Sequence, residues 1–184
     1  MTTPAPGAAR AERPGDHAAP GNPALIVVSG EPASGKTTLA HTLAARLGCP
    51  VICRDEIRTG IARAGTPDDR YLHTLDTFFA VLRTLTAAGV STVAEAAFQG
   101  HVWRPRLNTL DADVRVIHCT VPSGVIRERL ATRALRDAAH DDLARLAVPP
   151  AGPWEPLGLA VPTLEVSTDG DYSPTLPDIE RFCA

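Results

Sequence analysis

The residues with the most explicit chemistry lie in one short stretch near the start of the chain. Gly30-Glu31-Pro32-Ala33-Ser34-Gly35-Lys36-Thr37 fits the spacing G-x-x-x-x-G-K-[ST]. Each position in that spacing has a physical task. The two glycines let the backbone curl until several N–H groups point at one anion. A helix that starts at the end of the loop turns its positive terminus to the same place. The ammonium of Lys36 reaches β- and γ-phosphate oxygens, and the Thr37 hydroxyl is a ligand for Mg²⁺. Thr38 follows on the first turn and belongs to the same set. Of the 18 Lys and Arg residues in the chain, Lys36 is the only lysine. In an Arg-rich background a lone lysine marks a position that needs a compact ammonium.

Two further groups carry charge in a useful pattern. The segment Cys53-Arg54-Asp55-Glu56-Ile57-Arg58 follows a short apolar run. Asp55 then stands at the carboxyl end of a strand, where open α/β sheets place their ligands. A carboxylate there can take the proton of an attacking hydroxyl. It can equally cap the next helix, with Glu56 in the first turn. Arg127, Arg129, Arg133 and Arg136 recur at helical spacing, with Arg129 and Arg133 on one face. Such a run is either a solvated basic face or a set of cations over a migrating phosphoryl group. Glu95, at the end of an apolar run, is a third candidate, either in the site or anchoring the following loop.

The elements that must position these residues follow from the apolar pattern. Leu25-Ile26-Val27-Val28 is a continuous β-branched run of the kind buried on both faces of a parallel sheet. A helix is expected from Gly35 to Leu47, closed by Gly48, then a strand over 50–53 and a helix over 55–63. Further helices are expected over 68–88, 102–110, 123–136, 141–146 and 177–182. Strands are expected over 90–94, 114–119 and 164–167. Strands alternating with helices give a three-layer α/β/α fold around a five-stranded parallel sheet. Residues 1–22, rich in Pro, Ala and Gly, read as a disordered tail. Residues 23–184 then form one domain with an Arg-rich helical lid over about 122–147.

Composition narrows the classes. A chain of 184 residues with 44% hydrophobic residues suits a single globular domain. The net charge of −3 argues against a partner made of long nucleic acid. No apolar run reaches the length of a membrane span, and no secretory leader pattern opens the chain, so a cytoplasmic location is expected. Cys49, Cys53, Cys119 and Cys183 complete no zinc spacing and read as free thiols. The N-K-x-D signature of guanine-specific switches is absent. So is the Asp-Glu pair that ends an apolar strand in large motor ATPases, since the third strand runs Val93-Ala94-Glu95-Ala96.

The combination of G-x-x-x-x-G-K-T, R-D-E-I-R and R-x-x-x-R resembles the small P-loop kinases grouped around polynucleotide 5′-kinase, chloramphenicol phosphotransferase and the zeta-type toxin kinases. The resemblance implies ATP with Mg²⁺, the metal on Thr37, and a general base at Asp55. It implies acceptor binding by Arg58 and Glu95, nucleotide contact by Arg129, and a transition-state clamp at Arg133. Glu56 departs mildly from a family pattern that often has a second Asp there. The loop Thr168-Asp169-Gly170-Asp171 would pass the adenine edge, although Asp-Gly is also a plain turn signal. His73, Asp76, Phe78, His101, Trp103 and Arg104 lie in segments that would roof an acceptor pocket or simply build helix surface and core. Trp154 falls in the Pro-rich stretch and His118 in a strand. The expected activity is transfer of the γ-phosphate to a hydroxyl of a small metabolite, nucleoside or antibiotic-like molecule. The rivals are a polynucleotide 5′-hydroxyl kinase and a non-catalytic ATP-binding regulator.

Overall fold

The fold was obtained as a computed structural model and is described for residues 22–64, 70–97, 100–134 and 157–184. Five strands and six helices are defined among them. They are β1 (Ala24–Gly30), α1 (Lys36–Leu47), β2 (Val51–Cys53), α2 (Arg54–Arg63), α3 (Arg70–Ala87), β3 (Thr92–Glu95), α4 (Gly100–Leu107), β4 (Asp113–Thr120), α5 (Ser123–Ala134), β5 (Thr163–Ser167) and α6 (Leu176–Cys183). The strands form one parallel sheet in the order β2-β3-β1-β4-β5. The chain passes to one side of β1 for β2 and β3, then to the other side for β4 and β5. The crossover point therefore lies at the carboxyl end of β1, where a crevice for a ligand opens in sheets of this kind.

The sheet is covered on both faces, which explains why β1 is apolar throughout. Leu25 and Val27 turn toward Leu75, Phe78, Phe79 and Leu82 of α3 and Trp103 and Leu107 of α4. Ile26 and Val28 turn toward Leu39 and Leu43 of α1 and Ile179 of α6. Successive strand residues point to opposite faces, so only a continuous apolar run satisfies both layers. In a chain with 4% aromatic residues, three of the rings meet in the first layer. Phe78 stands edge-on to Phe79 and to Trp103 at centroid distances of 5.7 and 5.5 Å.

Helix α1 is bracketed by its caps Gly35 and Gly48, both in the left-handed region, with φ 82° and 67°. The N–H of Cys49 then donates to the carbonyl of Ala44 at 3.1 Å, which satisfies one of the last-turn acceptors. Helix α4 begins at Gly100, earlier than the expected Val102, and so carries Pro105 in its interior rather than in its first turn. Asn22, the last residue of the expected tail, donates from its amide to Asp111 at 3.0 Å. Residues 1–21 lie outside the described residues, as do the helix expected over 141–146 and the part of the lid beyond 134. Among the described residues no helix is long and apolar enough to cross a membrane.

Candidate active site

The loop after β1 is shaped by backbone conformations that exclude ordinary side chains. Gly30 has φ 148°, and a Cβ there would sit 2.6 Å from the carbonyl oxygen of Cys119 on β4 and 2.8 Å from Ser34 Oγ. The Ser34 N–H donates to the carbonyl of Glu31 at 3.1 Å. Ala33 adopts φ 65° and Gly35 φ 82°. A left-handed alanine costs on the order of 1–2 kcal/mol. Left-handed residues on both sides of Ser34 produce the concave row of N–H groups that binds anions. Ser34 Oγ is buried without a hydrogen-bond partner. A curled loop, an orphaned buried hydroxyl and a helix N-terminus at one point fit a polyphosphate.

Lys36 is held beneath this loop. Its Nζ lies 3.5 Å from Glu95 Oε1 and donates to the carbonyl of Glu31 at 3.4 Å. Lys36 and Glu95 are only 6% and 2% exposed. The parallel register sets Glu95 beside Val28 on one flank and Cys53 on the other. Its side chain projects on the α1 side of the sheet. Burial pushes the Glu95 carboxyl up from its ordinary range, Lys36 pulls it down, and the charge of Asp55 pushes it up again. Thr37 and Cys53 also pull it down. Thr37 and Thr38 are exposed on the open side of the loop. A hydroxyl open to the crevice and backed by a buried carboxylate is a donor set suited to Mg²⁺ on a nucleotide.

Asp55 sits in the first turn of α2, directly after β2, on the same sheet edge as the loop. Its side chain is 42% exposed and accepts a hydrogen bond from Arg54 at 3.0 Å. The Thr59 hydroxyl donates to the Asp55 carbonyl at 2.8 Å, which tightens the first turn. Arg58 follows one turn later and is half-buried. Asp55, Lys36, Thr37 and Glu95 thus stand at the carboxyl ends of β1, β2 and β3, with Arg58 one turn along α2.

On the other flank, α5 brings Arg129 to the loop. One guanidinium nitrogen donates to the carbonyl of Thr168 at 2.7 Å and the other to the carbonyl of Ala33 at 3.4 Å. The Thr168 hydroxyl donates in turn to the carbonyl of Ser34, and its N–H to the carbonyl of Thr120 at 3.0 Å. Arg129 and Thr168 therefore lock the strained part of the loop to the ends of β4 and β5. Arg133 falls on the last turn of α5, and its side chain, like residue 136, lies outside the described residues. Replacement of Arg129 by Ala removes the guanidinium donors from the carbonyls of Ala33 and Thr168. ATP affinity is expected to fall by about tenfold, the scale of one hydrogen bond to a charged group. Calorimetric titration of Arg129→Ala with a non-hydrolysable ATP analogue checks this, and wild-type affinity would show that the brace on the loop carbonyls does not govern nucleotide binding.

The acceptor-side candidates divide. Phe78 and Trp103 are core residues, 0% and 1% exposed. Asp76 is an exposed residue paired with Arg106 at 2.5 Å. His73 and Arg104 are exposed, with Arg104 lying against Gly100 and Gly158. The side chains of His101 and Trp154 lie outside the described residues. His118 is half-buried, and burial pushes its imidazole below the usual histidine range. Thr168 is a site residue that the sequence offered only as part of an Asp-Gly turn. Its polar neighbours gave no sign that the threonine itself would be buried.

The family model that matches the sequence is described as an AAA domain and spans residues 25–148. No curated protein matches the chain. Among solved structures, a kinase candidate from Chloroflexus aurantiacus j-10-fl is 26% identical, with a TM-score of 0.68, covering 85% of this chain and 91% of its own. A gluconokinase from Sinorhizobium meliloti 1021 is 20% identical, with a TM-score of 0.53 and coverages of 88% and 90%. The Mycobacterium tuberculosis APS kinase CysC, in complex with AMPPNP and APS, is 16% identical, with a TM-score of 0.57 and coverages of 82% and 91%. The last two likenesses are of fold. With the family model covering most of the sequence and the phosphate-binding loop built as the fold requires, the chain belongs to the AAA domain family and is a P-loop protein of the kinase type.

Proposed function

We propose that the protein transfers the γ-phosphate of ATP to a hydroxyl group of a small molecule. The observation that carries this reading is the half-exposed carboxylate of Asp55 on the sheet edge that also bears the phosphate loop. A nucleotide switch has no use for a base at that corner. The loop N–H groups and Lys36 hold the β- and γ-phosphates, with Thr37 as the protein ligand to Mg²⁺. When bound, the metal neutralises phosphate charge. Asp55 orients the acceptor hydroxyl and receives its proton as the bond to phosphorus forms. Arg58 binds an anionic or polar part of the acceptor, and Arg133 approaches the transferring group from the lid. Residues 23–184 act as one domain, with the lid over about 122–147.

A small acceptor is favoured over a polynucleotide by the net charge of −3 and by the lack of an aromatic-interleaved basic strip in the sequence. The gluconokinase and the APS kinase that share the fold are named for small-molecule acceptors, which supports the same reading. The test is a metabolite library incubated with the protein and Mg·ATP, read by mass spectrometry for products heavier by one phosphate. A phosphorylated small alcohol is the expected result. ATP turnover that no library member accelerates, or product from 5′-hydroxyl oligonucleotides alone, would overturn it.

A further inference from the structure

We propose that His41, Cys53 and Glu56 form a zinc site on the outer side of the phosphate-loop helix. The three residues come from three elements, α1, β2 and α2, and no spacing in the sequence announces them. Their ligand atoms lie within 4.8 Å of one another. His41 Nε2 is 3.7 Å from Cys53 Sγ and 2.7 Å from Glu56 Oε1. A tetrahedral zinc ion with bonds of ~2.3 Å to sulfur and ~2.0 Å to nitrogen and oxygen separates S from N by ~3.5 Å and N from O by ~3.3 Å. The Cys53–His41 separation already matches. The His41–Glu56 contact, now a hydrogen bond, has to open by about 0.6 Å to admit the ion. Both of those side chains are about half exposed, at 48% and 58%, and can turn without disturbing the core.

The chemistry of the donor set selects the metal. A thiolate and an imidazole are poor ligands for Mg²⁺ or Ca²⁺ and good ones for zinc. Cys53 is 2% exposed and is paired with Glu95 in the register of β2 and β3, with Glu56 one turn away at the start of α2. A thiolate among carboxylates needs a cation beside it, and a dication supplies that charge. Binding forms one Zn–S, one Zn–N and one Zn–O bond, and the Cys53 thiol proton passes to solvent. Water completes the fourth position on the exposed side. The ion then ties α1 to the β2–α2 corner on either side of Asp55 in sequence, and so stiffens the backbone that carries it. This inference does not depend on the identity of any phosphate acceptor.

The experiment uses the full chain, freed of metal by chelation and held without nucleotide in millimolar Mg²⁺. Zn²⁺ is titrated calorimetrically, and Co²⁺ is titrated as a spectroscopic substitute. One equivalent is expected, with a sulfur-to-cobalt charge-transfer band and the strong visible bands of a four-coordinate ion. The melting temperature should rise with added Zn²⁺. The charge-transfer band should vanish in Cys53→Ser and persist in Cys49→Ser. Because Cys53 is buried, His41→Gln and Glu56→Gln on the exposed side provide variants that keep the fold. Each should weaken Zn²⁺ by more than about tenfold, since even outer-shell partners of metal sites act on that scale. Failure of wild type to bind Zn²⁺ in the presence of Mg²⁺ would overturn the proposal. So would equal binding by wild type, His41→Gln and Glu56→Gln.

Discussion

Replacement of Lys36 by Ala is expected to slow phosphoryl transfer by about a thousandfold, the upper end of what one preorganised electrostatic donor contributes. The loop backbone stays, because its curvature depends on Gly30, Ala33 and Gly35 rather than on the lysine. Lys36 does a second job, however. It lies 3.5 Å from a carboxylate that is 2% exposed. Removing one partner of a buried pair leaves the other desolvated and uncompensated, at a cost of up to about 3–5 kcal/mol. Here burial already pushes the Glu95 carboxyl up, and protonation of Glu95 is open to it, so the loss should fall well below that ceiling. The double variant Lys36→Met with Glu95→Gln removes both charges at similar volume and should recover most of the stability. It should not recover the rate. Thermal melting and single-turnover transfer on wild type, Lys36→Ala and the double variant separate the two roles. If the double variant regained near-normal turnover, Lys36 would be a structural partner of Glu95, and its contact with the phosphates would drop out of the mechanism.

The architecture was legible because its signals are local. The run Leu25–Val28 could only be a strand covered on both faces, and Ile26 and Val28 do turn to α1 while Leu25 and Val27 turn to α3 and α4. Gly35 and Gly48 bracket α1 because both positions need positive φ. The loop motif announced the curled turn between β1 and α1 through the spacing of its glycines. What stayed hidden depends on the register of distant strands. Nothing near Glu95 in sequence shows that its carboxylate meets Lys36. That follows from the pairing of Val28 with Glu95 across β1 and β3. The bridge from Arg129 through Thr168 to Ser34 joins residues 39 and 134 positions apart. The cluster of His41, Cys53 and Glu56 needs three elements to converge. Phe78 and Trp103 were ambiguous for a related reason. Helical spacing shows that two residues share a face, but not whether a sheet or a ligand lies opposite that face.

These long-range links give the site an internal order. Glu95 is the hub. It pairs with Lys36 on the loop side, neighbours Cys53 on the β2 side, and feels the charge of Asp55. A change at the β2–α2 corner is thus one residue removed from Lys36. The opposite flank is fixed differently, by carbonyls of the loop held from Arg129 and Thr168. Perturbation there should act on nucleotide binding, whereas perturbation at Asp55 should act on the acceptor step. That division can be tested on single residues.

The variant that isolates the acceptor step is Asp55→Asn. Asn has the same size, and Asp55 lies inside the first turn of α2 rather than at its N-cap, so the helix loses only a first-turn charge worth on the order of 0.3–1 kcal/mol. The Thr59 hydroxyl keeps its carbonyl acceptor, because that bond is to the backbone of residue 55. Arg54 keeps a neutral oxygen in place of the carboxylate at 3.0 Å. With a side chain already 42% exposed, little desolvation energy is at stake, and the melting temperature should stay close to wild type. ATP affinity should also hold, since the loop, Lys36 and Thr37 are untouched. What the amide cannot do is accept the proton of the attacking hydroxyl. Transfer should therefore fall by about a hundredfold or more, the usual scale for loss of a general base. The rate constant should drop with little change in the KM for ATP, as expected for an interaction made in the transition state alone. Two measurements on one preparation settle it, calorimetric ATP affinity and single-turnover transfer to the acceptor found by the library screen. An Asn variant that transfers phosphate at the wild-type rate would reduce Asp55 to a first-turn charge of α2, and the search for the base would then move to Glu95 and the lid.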